Sequence, residues 1–212
     1  MMKGMYFDSV HSYEDLNLVL SSVSIPPAEV KKLYIDIPGG DGSVDLTAAL
    51  GEVKYKDREC SFTFSVFPQD DFEEKKTRIS NLLNGMVCRI RLDKDPGYYY
   101  QGRCFVNEYA SDKNLHQIVI GATVAPYKLK MSVTKVAVPA GNAVSATLTN
   151  ARKSVVPTIT TTANAEIKFA GNTFNVNAGT HTLLNIELKQ GANTVSVTST
   201  APVVFSYQEG DL

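Results

Sequence analysis

Residues 81–103 read NLLNGMVCRIRLDKDPGYYYQGR, and this stretch decides the fold. It begins with the end of an amphipathic helix, which the apolar spacing predicts from Asp71 to Asn84 with Gly85 as the glycine that ends it. From Val87 to Leu92, apolar and charged residues alternate, which predicts a strand with one charged face. Asp95-Pro96-Gly97 is a turn signal. The tyrosines that follow begin the second strand of a hairpin.

The residues outside this stretch extend the same pattern of strands and loops. A helical turn is expected from Asp45 to Leu50. Asp70 is the expected N-cap of the helix, with Glu73 at the spacing of a capping box. The helix directs four apolar side chains towards the core: Phe72, Ile79, Leu82 and Leu83. Strands are predicted at Lys31–Ile37, Val53–Phe67 and Leu115–Val124, and the hairpin continues to Tyr109.

The chain changes in composition near Tyr127. Residues 129–212 hold only 6 of the 21 basic and 4 of the 22 acidic residues. Such a change marks a domain boundary, so we expect one domain over residues 1–128 and a second over residues 129–212. Turn signals such as Gly141-Asn142 and Gly191-Ala192 separate short Thr- and Val-rich strands there, which is typical of a β-sandwich or barrel. The predicted fold class is an α+β first domain, mostly antiparallel β with one packed helix, followed by an all-β sandwich.

Composition argues against several classes of function. The 212 residues are 43% apolar and 20% charged, which describes a globular chain. The formal net charge of −1 provides no field that would attract nucleic acid or an anionic membrane. No apolar run approaches the roughly 20 residues of a membrane span, and the first residues contain no signal-peptide core. We expect no specific nucleic-acid binding, no membrane insertion, and assembly in a cytoplasm.

The residues that could carry catalysis are scattered along the chain. No histidine has a nucleophile or a second ligand at a recognisable spacing. His11 is predicted in a polar loop, His116 at a strand start and His181 in a turn. The three cysteines form no CxxC pair and fall on predicted strands, where buried thiols act as small apolar groups. The sequence therefore predicts no enzyme, no cofactor and no metal site.

Two features could carry binding instead. The loop Pro38-Gly39-Gly40-Asp41-Gly42 lacks the lysine of a phosphate loop and the spaced acids of a calcium loop. We interpret it as a turn, with Asp45 bonding back to the amides of the loop. Tyr98-Tyr99-Tyr100 could stack on bases or sugars, but consecutive strand residues face opposite sides. Core packing on one side and subunit contact on the other is the favoured interpretation.

Together these features resemble the distal tail protein of long-tailed bacteriophages, the family often called Dit. Three groups of residues in the first domain carry the resemblance. They are Gly39, Gly40, Asp41, Gly42 and Asp45 in the loop; Asn84 and Gly85 at the helix end; and Asp95, Tyr98, Tyr99, Gly102 and Arg103 in the hairpin. In the second domain the similar segments are Pro157-Thr158-Ile159, 191–195 and 205–212.

The resemblance implies a role as well as a fold. The second domain would be a galectin-like sandwich, and the first domains of six copies would form a ring at the end of the tail tube. Such a ring is a structural hub of the tail tip or baseplate, and the twelve residues above would serve its assembly or its structure. The implied partners are further copies in a homo-hexamer, the tail tube protein, the tail-associated lysin or tip protein and, as a further candidate, a receptor-binding protein. The implied location is the tail tip of a virion assembled in the host bacterial cytoplasm.

An alternative function is a glycan-binding adhesin that uses the second domain. Sugar sites present exposed aromatic rings beside converging polar groups. The chain has no Trp, and the second domain has four aromatic residues: Phe169, Phe174, Phe205 and Tyr207. This composition favours the structural hub over the adhesin.

Overall fold

The computed structural model describes residues 4–49, 51–67, 71–112 and 115–212. The chain divides into two compact units, Met1–Lys128 and Leu129–Leu212. The described residues are mostly antiparallel strands with a single helix. The antiparallel β character and the one helix of the predicted fold class are thereby confirmed.

The first unit contains nine strands and the helix α1 (Phe72–Leu83) among its described residues. The strands are β1 (Met5–Phe7), β2 (Val10–His11), β3 (Leu18–Ser24), β4 (Tyr34–Asp36), β5 (Ser43–Asp45), β6 (Arg58–Val66), β7 (Val87–Leu92), β8 (Tyr98–Asp112) and β9 (Leu115–Val124). Strand β10 (Lys128–Lys130) follows in the sequence. The later strands are β11 (Thr134–Val138), β12 (Gly141–Asn150), β13 (Thr158–Thr161), β14 (Ala165–Phe169), β15 (Asn172–Val176), β16 (Gly179–Thr182), β17 (Gly191–Ser199), β18 (Val203–Tyr207) and β19 (Gly210–Asp211).

One large antiparallel sheet forms the body of the first unit, in the order β2-β1-β7-β8-β9-β6-β3. Strand β6 has the predicted alternation, with Cys60, Phe62, Phe64 and Val66 buried. It begins at Arg58 rather than at the predicted Val53, because the partner of Arg58 is Val124, the last residue of β9. Strand β9 has the predicted bounds.

Helix α1 packs on this sheet through the predicted apolar side. Ile79 and Leu83 are buried in the core of the first unit, and Phe72 and Leu82 pack beside it. Tyr109 of β8 also joins the helix to the sheet, because its hydroxyl donates to the carbonyl of Lys76 at 3.0 Å. The helix is therefore held to the sheet by apolar burial and by a hydrogen bond.

The ends of the helix differ slightly from the prediction. The N-cap is Asp71, whose carboxylate accepts a hydrogen bond from the backbone N–H of Glu74 at 3.0 Å. The predicted cap at Asp70 with Glu73 is therefore wrong by one residue, since the second of two adjacent aspartates makes the bond; Asp70 itself lies outside the described residues. Gly85 has a φ of +83°, which confirms it as the left-handed residue after the helix.

A two-stranded ribbon in the first unit forms a sheet of its own, in which β4 pairs with β5. The predicted strand Lys31–Ile37 is shorter than expected, because β5 offers only three partner residues. The predicted helical turn from Asp45 is replaced by the end of β5 and by a turn in which the Ala49 N–H donates to the carbonyl of Leu46 at 3.0 Å; Leu50 lies outside the described residues. We call residues 33–46 the arm.

The second unit contains two four-stranded sheets, in the orders β11-β18-β13-β16 and β12-β17-β14-β15. Both sheets contribute to one apolar core. Its largest fully buried side chains are Leu148, Ile159, Ile167 and Phe205. The unit is therefore all-β, as the spacing of the turn signals predicted.

Candidate assembly surface

The twelve predicted residues lie in three parts of the first unit: the arm, the end of α1 and the β7–β8 hairpin. In the arm, Gly39 and Gly42 have φ values of +78° and +75°. A Cβ atom at either position would meet nothing within 4 Å. These glycines are therefore required by the backbone conformation of the tip and not by lack of space. Gly40 and Asp41 lie between them, exposed at the tip.

Asp45 bonds forward along the chain, not back to the glycine loop as expected. Its carboxylate accepts a hydrogen bond from the Thr47 N–H at 2.8 Å, and the Thr47 hydroxyl accepts one from the Leu33 N–H at 3.1 Å. Hydrogen bonds from the Thr47 hydroxyl and N–H hold the pKa of Asp45 below its usual range. Asp45 therefore stabilises the base of the arm, and its carboxylate does not bond to the glycine loop at the tip.

The arm has one apolar and one acidic face, because neighbouring residues of a strand point to opposite sides. The acidic face carries Tyr34 and Asp36 from β4 with Ser43 and Asp45 from β5. The apolar face carries Leu33, Ile35, Ile37 and Val44, whose exposed fractions lie between 42% and 52%. Contiguous exposed apolar residues are typical of an interaction site.

At the end of α1 the structure brings three predicted residues together. The side-chain oxygen of Asn84 accepts a hydrogen bond from the Val106 N–H at 3.2 Å. The Gly85 N–H donates to the carbonyl of Cys104 at 2.8 Å, and the Arg103 guanidinium donates to the carbonyl of Gly85. These bonds attach the end of the helix to β8, so this group has a clear structural role.

Gly102 allows two strands to approach closely. A Cβ atom at this position would lie 2.1 Å from the carbonyl oxygen of Thr123 and 2.5 Å from the Cα of Val124. Both of these atoms belong to the backbone of β9 and cannot rotate away. Gly102 is therefore the residue that the β8–β9 pairing requires at this point.

Asp95 and Tyr98 meet at Lys128. The Lys128 ammonium lies 2.9 Å from the Asp95 carboxylate and 4.3 Å from the centre of the Tyr98 ring. The hydrogen bond with Asp95 raises the pKa of Lys128 above its usual value. Asp95 and Tyr98 also line a cavity of about 240 Å³ together with Arg58 and Tyr100. The turn itself is closed by the Tyr98 N–H, which donates to the Asp95 carbonyl at 3.2 Å, and Lys128 attaches the turn to the residues after β9.

The side of β7 and β8 away from the core carries three arginines, which we call the arginine face: Arg89, Arg91 and Arg103, with Val87 and Gln101 between them. The register places Val87 opposite Arg103 and Arg89 opposite Gln101. Arg89 and Arg103 are exposed, and Arg91 is half-buried. Tyr and Arg are enriched in protein interfaces, so this composition suits one.

Two tyrosine rings lie under this arginine face. The Arg91 guanidinium is 4.1 Å from the centre of the Tyr6 ring, and the Arg89 guanidinium is 5.2 Å from that of Tyr99. Tyr99 is buried, whereas its neighbours Tyr98 and Tyr100 are half-buried on the opposite side of the strand. The predicted division of the three tyrosines between two faces is confirmed.

The burial of His11 was not predicted from the sequence. His11 lies in β2 and is buried, not in a polar loop. Its Nδ1 accepts a hydrogen bond from the Glu14 N–H at 3.1 Å, so Nε2 carries the proton and donates to the Asp93 carboxylate at 3.1 Å. The same carboxylate accepts the Gly4 N–H at 2.7 Å. This group ties the first residues of the described chain to the hairpin.

The contact between two of the cysteines was not predicted from the sequence either. The sulfur atoms of Cys88 and Cys104 lie 2.8 Å apart in the core. The hydrogen bond between the thiols lowers the pKa of Cys88 and raises that of Cys104. The sequence did hold a signal for this contact, because Cys88 and Cys104 are equally far along the chain from Pro96 in the turn. In an antiparallel hairpin this spacing places the two side chains on the same face, in diagonal positions on neighbouring strands.

Neither a metal centre nor an exposed sugar platform is visible in the described residues. In residues 4–49, 51–67, 71–112 and 115–212 no group of three or more His, Cys, Asp or Glu side chains could hold a metal ion. No helix in the same ranges has the length and apolar character to cross a membrane. In the fully described second unit, Phe205 and Tyr207 are buried, and Phe169 and Phe174 pack against the core.

Comparison with known proteins identifies the fold. No family model matches the sequence, and no curated protein matches it. The structure is similar to that of the Dit protein of phage SPP1, described as a paradigm of the hub adsorption apparatus in phages that infect Gram-positive bacteria. The TM-score is 0.72 at 18% identity, and the match covers 100% of both chains. The resemblance inferred from the sequence is therefore confirmed at the level of the fold.

A second similarity is weaker. The virion of a native gene transfer agent contains a chain of which 92% matches 58% of this one, at 14% identity and a TM-score of 0.34. That score does not indicate a shared fold.

Proposed function

We propose that this chain is a structural subunit of a phage tail tip or baseplate, where six copies form a ring that joins the tail tube to the tip or receptor-binding apparatus. The observation that carries the proposal is the similarity to the SPP1 Dit protein, which extends over the whole of both chains. Because fold alone does not fix function, the proposal also needs surfaces suited to assembly.

The first unit offers such surfaces. The arm leaves four large apolar side chains about half exposed, and the arginine face presents two exposed arginines on a well-packed hairpin. Two different surfaces on one subunit permit a heterologous contact, which generates a ring when the rotation between subunits closes. The two surfaces therefore support assembly through the first unit.

The finer assignments follow from the same proposal. Residues 1–128 form the ring, and residues 129–212 form a galectin-like sandwich. The partners are the tail tube protein, the tail-associated lysin or tip protein and, as a further candidate, a receptor-binding protein. The twelve predicted residues serve this assembly in two ways. Those of the arm provide contact, and those of the hairpin and helix end maintain the surface to which a neighbouring protein binds.

Native mass spectrometry and negative-stain electron microscopy of the purified protein test the proposal. We expect a species of six times the 23.1 kDa chain mass and ring-shaped particles with a central channel. The same measurements are repeated with the neighbouring tail proteins, because a ring can close on a template. Monomer alone at high concentration, both with and without those proteins, would contradict the proposal.

A further inference from the structure

We propose that Cys88 and Cys104 are a modification site, at which hydrogen peroxide oxidises the two buried thiols to a disulfide that cross-links β7 and β8. The inference goes beyond the proposed function and does not depend on it, because the site lies within one chain. The contact between the two sulfur atoms, the backbone beside them and the difference in their exposure carry the argument.

The backbone at the start of β7 brings the two cysteines together. The Gly85 N–H donates to the Cys104 carbonyl at 2.8 Å, and the Cys104 N–H donates to the Met86 carbonyl at 2.8 Å. With the positive φ of Gly85, these bonds form a β-bulge in which two residues face one. A bulge increases the local twist of the two strands, and twist shortens one diagonal between neighbouring strands. Cys88 and Cys104 occupy this diagonal.

The residue directly opposite Cys88 leaves room for the contact. The register places Cys88 opposite Gly102, which has no side chain. The Cys88 sulfur is therefore free to turn towards its diagonal neighbour, and it lies 2.8 Å from the Cys104 sulfur in the core of the first unit. The sulfur atoms of a disulfide are about 2.05 Å apart, so a small movement of the two side chains allows the bond to form.

The two thiols differ in reactivity. Cys88 is 5% exposed, whereas Cys104 is fully buried. The hydrogen bond from Cys104 lowers the pKa of Cys88, and the thiolate is the form that reacts with a peroxide. Hydrogen peroxide is uncharged and little larger than water, which suits it to a thiol with so little exposed surface. Cys88 is therefore the thiol that the peroxide attacks first.

The reaction is a two-electron oxidation in two steps. The Cys88 thiolate attacks one oxygen of the peroxide, so that an S–O bond forms, the O–O bond breaks and hydroxide leaves. The Cys104 sulfur then attacks the Cys88 sulfur of this sulfenic acid; the S–S bond forms, the S–O bond breaks and a second hydroxide leaves. The two hydroxides take up the two thiol protons. Two thiols and one peroxide thus give one disulfide and two waters.

The third cysteine is placed as an internal control. Cys60 of β6 and Cys104 of β8 both pair with Ala122, from opposite sides of β9. Since neighbouring strands lie about 4.8 Å apart, the backbones at Cys60 and Cys104 are separated by about 10 Å, which exceeds the reach of a disulfide. Burial also raises the pKa of Cys60 to about 11. Cys60 should therefore remain a thiol.

Intact-mass spectrometry of the full-length protein tests the inference. The protein is reduced, freed of reductant, treated with hydrogen peroxide in its native state, and then unfolded and alkylated. We expect the loss of two hydrogen atoms and one alkylated cysteine per chain instead of three. Digestion should yield one cross-linked pair of peptides that contains Cys88 and Cys104. Three alkylated cysteines after treatment would overturn the inference.

The same oxidation in urea shows whether the native structure selects the pair. The unfolded chain should give a mixture of the three possible disulfides among Cys60, Cys88 and Cys104, because no backbone then holds any two of them together. The native chain should give the Cys88–Cys104 bond alone. A native product that contains a Cys60 disulfide, or the same mixture as in urea, would contradict the inference.

Three variants test the order of the steps. Cys60→Ser is the matched control and should form the disulfide at the parent's rate. In Cys104→Ser, the sulfenic acid at Cys88 has no second thiol to attack it, so dimedone should label Cys88. In Cys88→Ser, Cys104 should react at least tenfold more slowly. Equal labelling of the two single thiols would overturn this order. If a serine in the core prevents folding, the two measurements on the parent protein still decide whether the disulfide forms.

The effect of the bond is measured by denaturant unfolding of the oxidised and the reduced protein. Cross-linking Cys88 to Cys104 restricts the unfolded chain over the 17 residues from one to the other. The unfolding equilibrium constant should therefore fall at least tenfold on oxidation and return on treatment with dithiothreitol. Peroxide should give no such gain in Cys104→Ser. An oxidised protein that is no more stable than the reduced one would show that the bond does not fit the native hairpin, and the inference would be wrong.

Discussion

The β7–β8 hairpin and the arm share a sequence pattern and have opposite surroundings. In both, apolar residues alternate with polar or charged ones along antiparallel strands. Cys88, Ile90 and Leu92 of the hairpin are buried, whereas Ile35 and Ile37 of the arm are about half exposed. The hairpin pairs with β1 and β9 on either side and lies beneath α1, while β4 and β5 pair with each other.

This difference shows what alternation in a sequence can specify. It determines which side chains share a face, because the strand period is two residues. It does not determine what covers that face, which depends on the other elements of the chain or on another chain. The hairpin is therefore stabilised by its own subunit, whereas the apolar face of the arm stays about half exposed, and its burial by a partner is what the proposed function predicts.

The largest effect should come from breaking the pairing of β8 with β9 at Gly102. The Gly102→Ala substitution places a Cβ atom 2.1 Å from the Thr123 carbonyl oxygen, so β8 and β9 must separate. We expect a loss of about 3 kcal/mol or more in the free energy of unfolding, or no folded protein. Denaturant unfolding measures it, with Gly97→Ala as the control because nothing lies within 4 Å of that position. Equal stability of the two variants would show that β8 and β9 do not approach each other at Gly102 closely enough to exclude a Cβ atom.

The second effect compares one isoleucine from each region. Ile90 is fully buried and Ile35 is 51% exposed. Ile90→Ala should cost about 2–4 kcal/mol because it leaves a cavity in the core, whereas Ile35→Ala should change the stability of the dissociated chain by about 0.5 kcal/mol or less. Thermal and denaturant melts of both variants, below the concentration at which the protein associates, provide the comparison. Similar losses would mean that the arm is packed within its own subunit.

Much of the hairpin could be predicted from the sequence, because its signals are local. Gly85, the Asp95-Pro96-Gly97 turn and the alternation in β7 each act within a few residues. The pairing of β4 with β5 was not predicted, since it depends on a long-range register, and the residues from Asp45 onwards suggest a helical turn instead. The N-cap lies at Asp71 and not at Asp70 because two adjacent aspartates can both act as caps.

The candidate surface could be approached only in part from the sequence. The glycine loop, the helix end and the tyrosines were singled out by the family resemblance, and their part in assembly stays a prediction. The exposure of the apolar face of the arm could not be predicted, because the alternation of apolar and polar residues in the arm is the same as in a strand whose apolar face is buried. The arginine face and the buried His11 depend on which strands lie side by side, which no local pattern of residues determines.

A smaller effect is expected at the end of α1. Gly85 has a φ of +83°, and a Cβ atom there would meet nothing within 4 Å, so a side chain would be strained without a clash. Gly85→Val should cost about 1 kcal/mol or more, because β-branched residues avoid positive φ. Gly85→Asn is the matched control and should cost less, since Asn tolerates this conformation. Equal melting temperatures for the parent protein and the Val variant would show that the helix ends elsewhere.

The smallest effect concerns pH and the base of the arm. The pKa of Asp45 is lowered from its ordinary value of 3.8 by its bonds with Thr47. The contribution of Asp45 to the arm is therefore complete above pH 3.8 and is lost as the pH falls through the lower pKa of the folded state. The chemical shift of the Thr47 N–H should report this transition, and Asp45→Asn should remove it. A midpoint at or above pH 3.8 would contradict the observed hydrogen bonding.

Amide hydrogen exchange of the arm, in the dissociated and the assembled protein, tests the central claim most directly. The Leu46 N–H, which donates to the Leu33 carbonyl at 2.8 Å, should exchange rapidly in the dissociated chain and at least tenfold more slowly after assembly. The Cys104 N–H, bonded to the Met86 carbonyl at 2.8 Å, should be protected in both states. An arm that is equally protected before and after assembly, or that remains unprotected in the assembled protein, would contradict the claim that a second copy covers it.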